Sequence, residues 1–140
     1  MEFLRLSAGA RLPERAHEGD AGLDLFTPTE VNLAPLARKL VKLGFAMSVP
    51  KGFAGLVCPR SGLAVNSGVT VLNSPGIIDS GYRGEVAVVL VNLSNENVIL
   101  PEGSKVAQLL IVPCNFDKPE WVGFLDETDR GEGGFGSTGL

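Results

Sequence analysis

A chain of 140 residues has room for one domain at the usual ~100 to 200 residues per domain, and we read residues 1–140 as one unit. With 44% hydrophobic and 20% charged residues it can bury a core, which excludes intrinsic disorder. Twelve Lys and Arg against 16 Asp and Glu leave a net charge of −4, which excludes a protein that binds nucleic acid by neutralising duplex phosphates. No run approaches the ~18 apolar residues of a membrane span.

Gly and Pro number 18 and 9 without any G-X-Y period, so turns are frequent and long helices few. Residues 1–6 have neither a basic start nor a long apolar stretch, and we expect a cytoplasmic protein. Cys58 and Cys114 lack metal-type spacing and sit in apolar sequence, which predicts two buried free thiols in a reducing compartment. His17 is the only histidine, so a histidine triad or multi-histidine metal site is unavailable, and it reads as a surface residue.

In chain order, Gly19-Asp-Ala-Gly-Leu-Asp24-Leu25 begins a strand in which an acid is flanked by apolar residues. Such a carboxylate is either paired internally or helps order a hydrated cation. Strand-length apolar runs follow at residues 40–49, 53–58, 69–72, 85–93, 98–100 and 105–112, with no long helical pattern between them. That excludes a βαβ arrangement and leaves a sandwich, barrel or jelly roll. Residues 61–66 can hold one or two helical turns, with Ser61 as the N-cap. The run 85–93 is almost continuously apolar and reads as a strand buried on both faces, between two sheets or against another subunit.

Four further segments carry chemistry. Pro59-Arg60-Ser61-Gly62 ends a strand, presents a guanidinium fork and opens a helical turn, an arrangement suited to phosphate. Residues 73–85 are too many for a tight turn and are expected to fold as a small hairpin of their own. Its backbone could read the edge of one base, with Asp79 offering a carboxylate and Tyr82 a flat face. The end, from Arg130 to Leu140, resembles a phosphate-binding glycine loop in composition, but it has no Lys before Ser137 and no helix can follow, so a Walker site is rejected. Arg130 and Phe135 leave open a flap that pairs charge and stacks on a base. Gln108, inside the apolar strand 105–112, can donate to a phosphate oxygen or satisfy a neighbouring carbonyl.

Taken together and in this order, these five segments, from Ala21 to Gly139, resemble the five motifs of the homotrimeric dUTP pyrophosphatases (dUTPases). The resemblance implies an all-β, jelly-roll or β-clip-like subunit with at most one short helix. It also implies a homotrimer whose active sites borrow residues from more than one chain. The reaction implied is dUTP plus water giving dUMP and pyrophosphate, with Mg²⁺, by attack at the α-phosphorus; it lowers dUTP and supplies dUMP for thymidylate synthesis. On the matching positions, Asp79 orients and deprotonates the water and Tyr82 lies beneath the deoxyribose. Residues 73–82, including Asn73 and Ile78, read uracil. Arg60, Ser61, Gly62 and Gln108 contact phosphate, and Asp24 holds waters around the metal. Residues 126–140 form a mobile arm whose Arg130, Phe135, Gly136, Ser137 and Thr138 close over the nucleotide.

Many members of that family carry Arg where this chain has Lys105, and an ammonium cannot reproduce a guanidinium fork. The ionic pairing expected there, at a subunit interface, is therefore altered. Two rival readings are a dCTP deaminase-related enzyme and a non-catalytic nucleotide-binding trimer. The first lacks a visible relay for hydrating cytosine in residues 73–85. The second has no use for Asp79 or a closing arm.

Overall fold

Runs of Val, Leu and Ile punctuated by Gly and Pro fold here into ten strands and one seven-residue helix in a computed structural model that describes residues 1–134 and 137. The strands are β1 (Glu2–Arg5), β2 (Leu23–Phe26), β3 (Val31–Leu33), β4 (Arg38–Ser48) and β5 (Phe53–Cys58). After helix α1 (Ser61–Ser67) come β6 (Val69–Val71), β7 (Gly76–Ile78), β8 (Glu85–Asn92), β9 (Val98–Leu100) and β10 (Lys105–Pro113). One sheet has the order β1-β4-β8-β6, a second β2-β10-β5-β7, and β3 pairs with β9. The named pairings are antiparallel. Strands distant in sequence lie side by side, as in a jelly roll.

Alternation fixes which side of each strand is dry. Val86, Val88 and Leu90 of β8 and Val41 and Leu43 of β4 point inward, as do Leu23 and Leu25 of β2 and Leu109 of β10. Each such side chain, removed from water, contributes about 1.5–3 kcal/mol. Asn92 ends β8 inside this core: its Nδ2 donates to Leu33 O at 3.0 Å and Glu96 O at 2.7 Å, and its Oδ1 accepts from Ser94 N at 2.9 Å. A buried amide so completely partnered ties β8, β3 and the turn before β9 together.

Several sequence expectations need correction. The run from Glu85 is not dry on both faces within one chain, because Ala87 and Val89 remain half-buried on the side away from the core. Residues 73–85 do not fold back on themselves as a separate hairpin. Instead β7 completes the second sheet by pairing with β5, Ile78 opposite Gly55 and Gly76 opposite Val57. Three residues cannot hold an isolated hairpin, whereas the open edge of β5 supplies a ready partner. Ser61 is not the N-cap but the first helical residue. Arg60 holds the cap in extended conformation, φ −101°, without a side-chain cap bond. Cys114 is exposed and Cys58 half-buried, because β10 ends at Pro113 and the chain then leaves the sheet. His17 is exposed, as expected.

A bulge shapes the first sheet. The pairing of β4 with β8 slips between Lys42 and Ala46, and Gly44 takes φ +75° there, a conformation that favours glycine. The Glu85 carboxylate accepts from Gly44 N at 3.1 Å and pairs with Lys42 Nζ at 3.1 Å, so the base of β8 is stitched to the bulge. Among the described residues no helix is long and apolar enough to cross a membrane.

Candidate functional site

The strand register assembles a polar cluster at one end of the second sheet. Gln108 of β10 lies opposite Asp24 of β2 on one side and Cys58 of β5 on the other, so three positions stand abreast. Two residues beyond Cys58 the chain delivers Arg60, and α1 begins. The result is an open cleft of about 350 Å³ lined by Asp20, Gly22, Asp24, Arg60, Gly62 and Gln108, with Ser61 beside them.

Asp24 is the anchor of this cleft. Its side chain is only 10% exposed, with Arg60 Nε 2.8 Å from Oδ1 and Lys105 Nζ 2.7 Å from Oδ2. The Lys105 contact is ionic by distance but lies outside hydrogen-bonding angles, so Oδ2 accepts no directed bond among the described residues. Arg60 Nη1 also donates to Lys105 O at 3.4 Å. One carboxylate thus meets two cations, and with Asp20 also on the cleft lining the charges there balance, so what draws an anion is the guanidinium fork and the helix-start amides rather than net charge. Lys105 is aligned further by the Phe26 ring, whose centroid lies 5.9 Å from Nζ. The ammonium expected to pair across a subunit interface therefore pairs inside the chain. Sequence reasoning noticed Lys105 only as a departure, and missed it as the second cation on Asp24; the signal was its register, since it pairs with Phe26 of β2.

Gln108 makes the local bond of its two expected roles, donating from Nε2 to Pro59 O at 2.9 Å, and it also lines the cleft. Its amide rests on bare backbone: a Cβ at Gly22 would collide with Oε1 and lie 3.3 Å from Cδ. Gly22 is thus a second missed position, legible only as the glycine two residues before Asp24. The Gln108 bond holds the Pro59 carbonyl, and so the direction in which Arg60 and Ser61 leave the sheet. Ser61 and Gly62 are exposed, and as first-turn residues their amides have no carbonyl behind them in the helix.

Asp79 and Tyr82 stand elsewhere. Ile78 is level with Gly55, so Asp79 is level with Ala54, and Arg60 lies six residues further along the chain from that point. At about 3.3 Å per strand residue that is roughly 20 Å. Asp79 is exposed, and its carboxylate takes part in no hydrogen bond or ion pair among the described residues. Its carbonyl accepts from Tyr82 N at 3.0 Å. The Tyr82 hydroxyl donates to Glu85 O at 2.9 Å, and Arg83 Nη1 closes the loop onto Ser80 O and Tyr82 O at 2.8 and 2.7 Å. Asn73 is exposed at the start of the segment and Ile78 is buried within β7.

In the tail, Arg130 Nε donates to Gly133 O at 2.9 Å, and Ser137 N to Gly134 O at 3.2 Å. Phe135, Gly136 and Thr138 lie outside the described residues. The expected site residues thus fall into separate groups on one chain: Asp24, Arg60, Ser61, Gly62 and Gln108 in the cleft, Asn73 to Tyr82 on the far part of β7 and its loop, and Arg130 with Ser137 in the tail.

Among the described residues no three His, Cys, Asp or Glu side chains cluster as a metal site. What the cleft does offer is oxygen from Asp24, Asp20 and Gln108, a hard donor set with no soft ligand. Those few oxygens fit a hydrated ion carried in by an anionic ligand better than one held by protein alone.

A jelly-roll chain whose polar cleft offers a guanidinium fork and free helix amides is suited to an anionic ligand. The dUTPase family model matches residues 8–139. Deoxyuridine 5'-triphosphate nucleotidohydrolases of Clostridium novyi and Clostridium kluyveri are 51% identical over 131 residues and 50% identical over 141 residues. These alignments cover 94% of this chain and 92% of the C. novyi protein, and 99% of both chains for C. kluyveri. Among solved structures, the Staphylococcus bacteriophage 80alpha dUTPase with dUPNHPP superposes with a TM-score of 0.92 at 29% identity, covering 99% of this chain and 98% of that one. A mutant dUTPase from phage phi11 of S. aureus, described for its coordination of a structural Mg(II) ion, gives a TM-score of 0.84 at 28% identity over 90% of this chain and 98% of that one. The chain belongs to the dUTPase family.

Proposed function

We propose that this protein hydrolyses dUTP to dUMP and pyrophosphate, with Mg²⁺, in a site assembled from several copies of the chain. The observation that carries the reading is the register that sets Asp24, Gln108 and Arg60 around one cleft, with Arg60 held in place by Asp24 beside the start of the helix. In it, Arg60 presents its outer Nη edge to the phosphates while Nε stays tied to Asp24, and the amides of Ser61 and Gly62 donate to further phosphate oxygens. When bound, Mg²⁺ neutralises charge on the triphosphate and makes the α-phosphorus more open to attack. Asp24 would hold it through water, and Gln108 contacts a phosphate oxygen.

Asp79 is the base. It takes a proton from a water whose oxygen forms the new bond to the α-phosphorus; the bond to the bridging oxygen breaks and pyrophosphate leaves. A carboxylate is a weak base, so activation is shared with the cations around the phosphates, and the rate comes from positioning and electrostatics. The backbone of residues 73–82 reads the uracil edge, with Ile78 and Asn73 setting its shape, and Tyr82 lies beneath the deoxyribose. Residues 126–140 act as an arm that brings Arg130, Phe135, Gly136, Ser137 and Thr138 over the nucleotide and excludes bulk water.

The roughly 20 Å between Asp79 and Arg60 along one sheet supports an assembly in which a neighbouring copy supplies Asp79. So do the uncovered faces of Ala87 and Val89 on β8 and the exposed Trp121, Phe124 and Leu125. We take the assembly to be a homotrimer. Two thiols without a disulfide are consistent with a cytoplasmic setting, and lowering dUTP while supplying dUMP is the role such an activity serves there. The test is a Mg²⁺-dependent assay of pyrophosphate release from dUTP, dCTP, dTTP and UTP, with light scattering for the assembly. Release from dUTP in strong preference is expected; ammonia released from dCTP, or binding without turnover, overturns the reading.

A further inference from the structure

We propose that Gly84 is a specificity-determining positioning residue: its missing side chain is the seat that holds the Tyr82 ring against the start of β8. A Cβ built on Gly84 would lie 2.6 Å from Tyr82 Cζ and 2.9 Å from Cε2, and would collide with the hydroxyl oxygen. Ordinary contact at such a carbon begins near 3.4 Å. All three nearest atoms belong to this one side chain, so Tyr82 is what most closely fills the space freed by the absent methyl. The backbone of Gly84 has no need of glycine for its own sake, because its φ lies outside the left-handed region. The requirement comes from the neighbour.

The seat has a second wall. Lying over Gly84, the ring brings its hydroxyl 2.9 Å from Glu85 O, and Glu85 is itself pinned through its carboxylate to the amide of the Gly44 bulge and to Lys42. The Tyr82 hydroxyl is thus referenced to the β4–β8 pair, while its backbone is tied to its own loop. Its ring is 45% exposed and free to swing outward, which is how a methyl at residue 84 would be accommodated. The ring would leave its seat while the sheet stayed intact. The inference rests on the reading that Tyr82 lies beneath the deoxyribose and denies room to a 2′-hydroxyl. Under it, Gly84 controls discrimination between deoxyribose and ribose without touching the nucleotide.

Tyr82 is the only tyrosine, so isotopic labelling of tyrosine gives a single set of ring signals whose position reports the seat without any substrate. In the full-length assembled protein, Gly84→Ala is expected to unfold within a few degrees of the unsubstituted chain, move the ring signals, and lower the ratio of kcat/KM for dUTP over UTP about tenfold, mainly through KM. Tyr82→Phe keeps the ring but not the hydroxyl bond, and should lose less of that ratio. Gly81→Ala, where a Cβ meets nothing within 4 Å, should leave the ring signals in place. Unmoved ring signals in Gly84→Ala, or moved signals with an unchanged ratio, overturn the proposal. Absence of dUTP turnover in the unsubstituted protein instead overturns the functional reading, and the ring measurement then still decides whether Gly84 seats Tyr82.

Discussion

The cleft around Asp24 and the segment around Asp79 use the same side chain in opposite ways. Asp24 is nearly enclosed and neutralised by two cations of its own chain, so it acts as a fixed post from which Arg60 and Lys105 take their orientation. Asp79 is exposed at the end of a three-residue strand, with its carboxylate left free by the described residues. A carboxylate that must accept a proton cannot spend its lone pairs on internal cations, and one that must hold a guanidinium in place cannot be left to solvent. The two regions show an anchored half-site and a presented one.

The sharpest way to break that comparison is Asp79→Asn. Turnover should fall by about 10²–10⁴-fold, while thermal stability and the affinity for a dUTP analogue stay near those of the unsubstituted chain; near-normal turnover would remove Asp79 from the chemistry. Removing residues 130–140 should cost about 100-fold in kcat/KM and leave the assembly and its melting profile unchanged, measured by activity and calorimetry together.

Asp24→Asn should do what Asp79→Asn does not, lowering stability and activity at once. It leaves Arg60 and Lys105 without their shared carboxylate, and since both cations are about one-third exposed, water recovers part of the loss. The expected destabilisation is about 1–2 kcal/mol, below the value for a fully buried pair, read by denaturant titration beside a raised KM for dUTP. Asn92→Ala probes neither region. It removes the buried amide's bonds to the carbonyls of Leu33 and Glu96 and should cost about 2 kcal/mol with KM unchanged.

The strands themselves were partly legible because the runs near β4, β5, β8 and β10 are long and apolar, and Pro and Gly mark their ends; their order in the sheets was not. β1 and β3 were not, since Glu2–Arg5 and Val31–Leu33 are short and owe their extended form to partners far along the chain. The same holds for β7: Gly76-Ile77-Ile78 looks like half of a local hairpin until β5 is seen to offer an edge. In the cleft, Arg60 and Ser61 could be read from the Pro that stops the strand. The pairing of Asp24 with both Arg60 and Lys105 could not, because it depends on register between β2 and β10 and on where the chain turns after Cys58. Gly84 was invisible for a related reason: a glycine whose φ is ordinary gives no sign in the sequence that a ring two residues earlier occupies its place.

The distance separating Asp79 from Arg60 along the sheet has a consequence for mixtures. If each working centre takes these two groups from different polypeptides, an Asp79→Asn chain and an Arg60→Ala chain are each inert alone yet complement one another. Dissociated and reannealed in equal amounts, they would regenerate about a quarter of the intact centres, and dilution below the assembly threshold would extinguish them again.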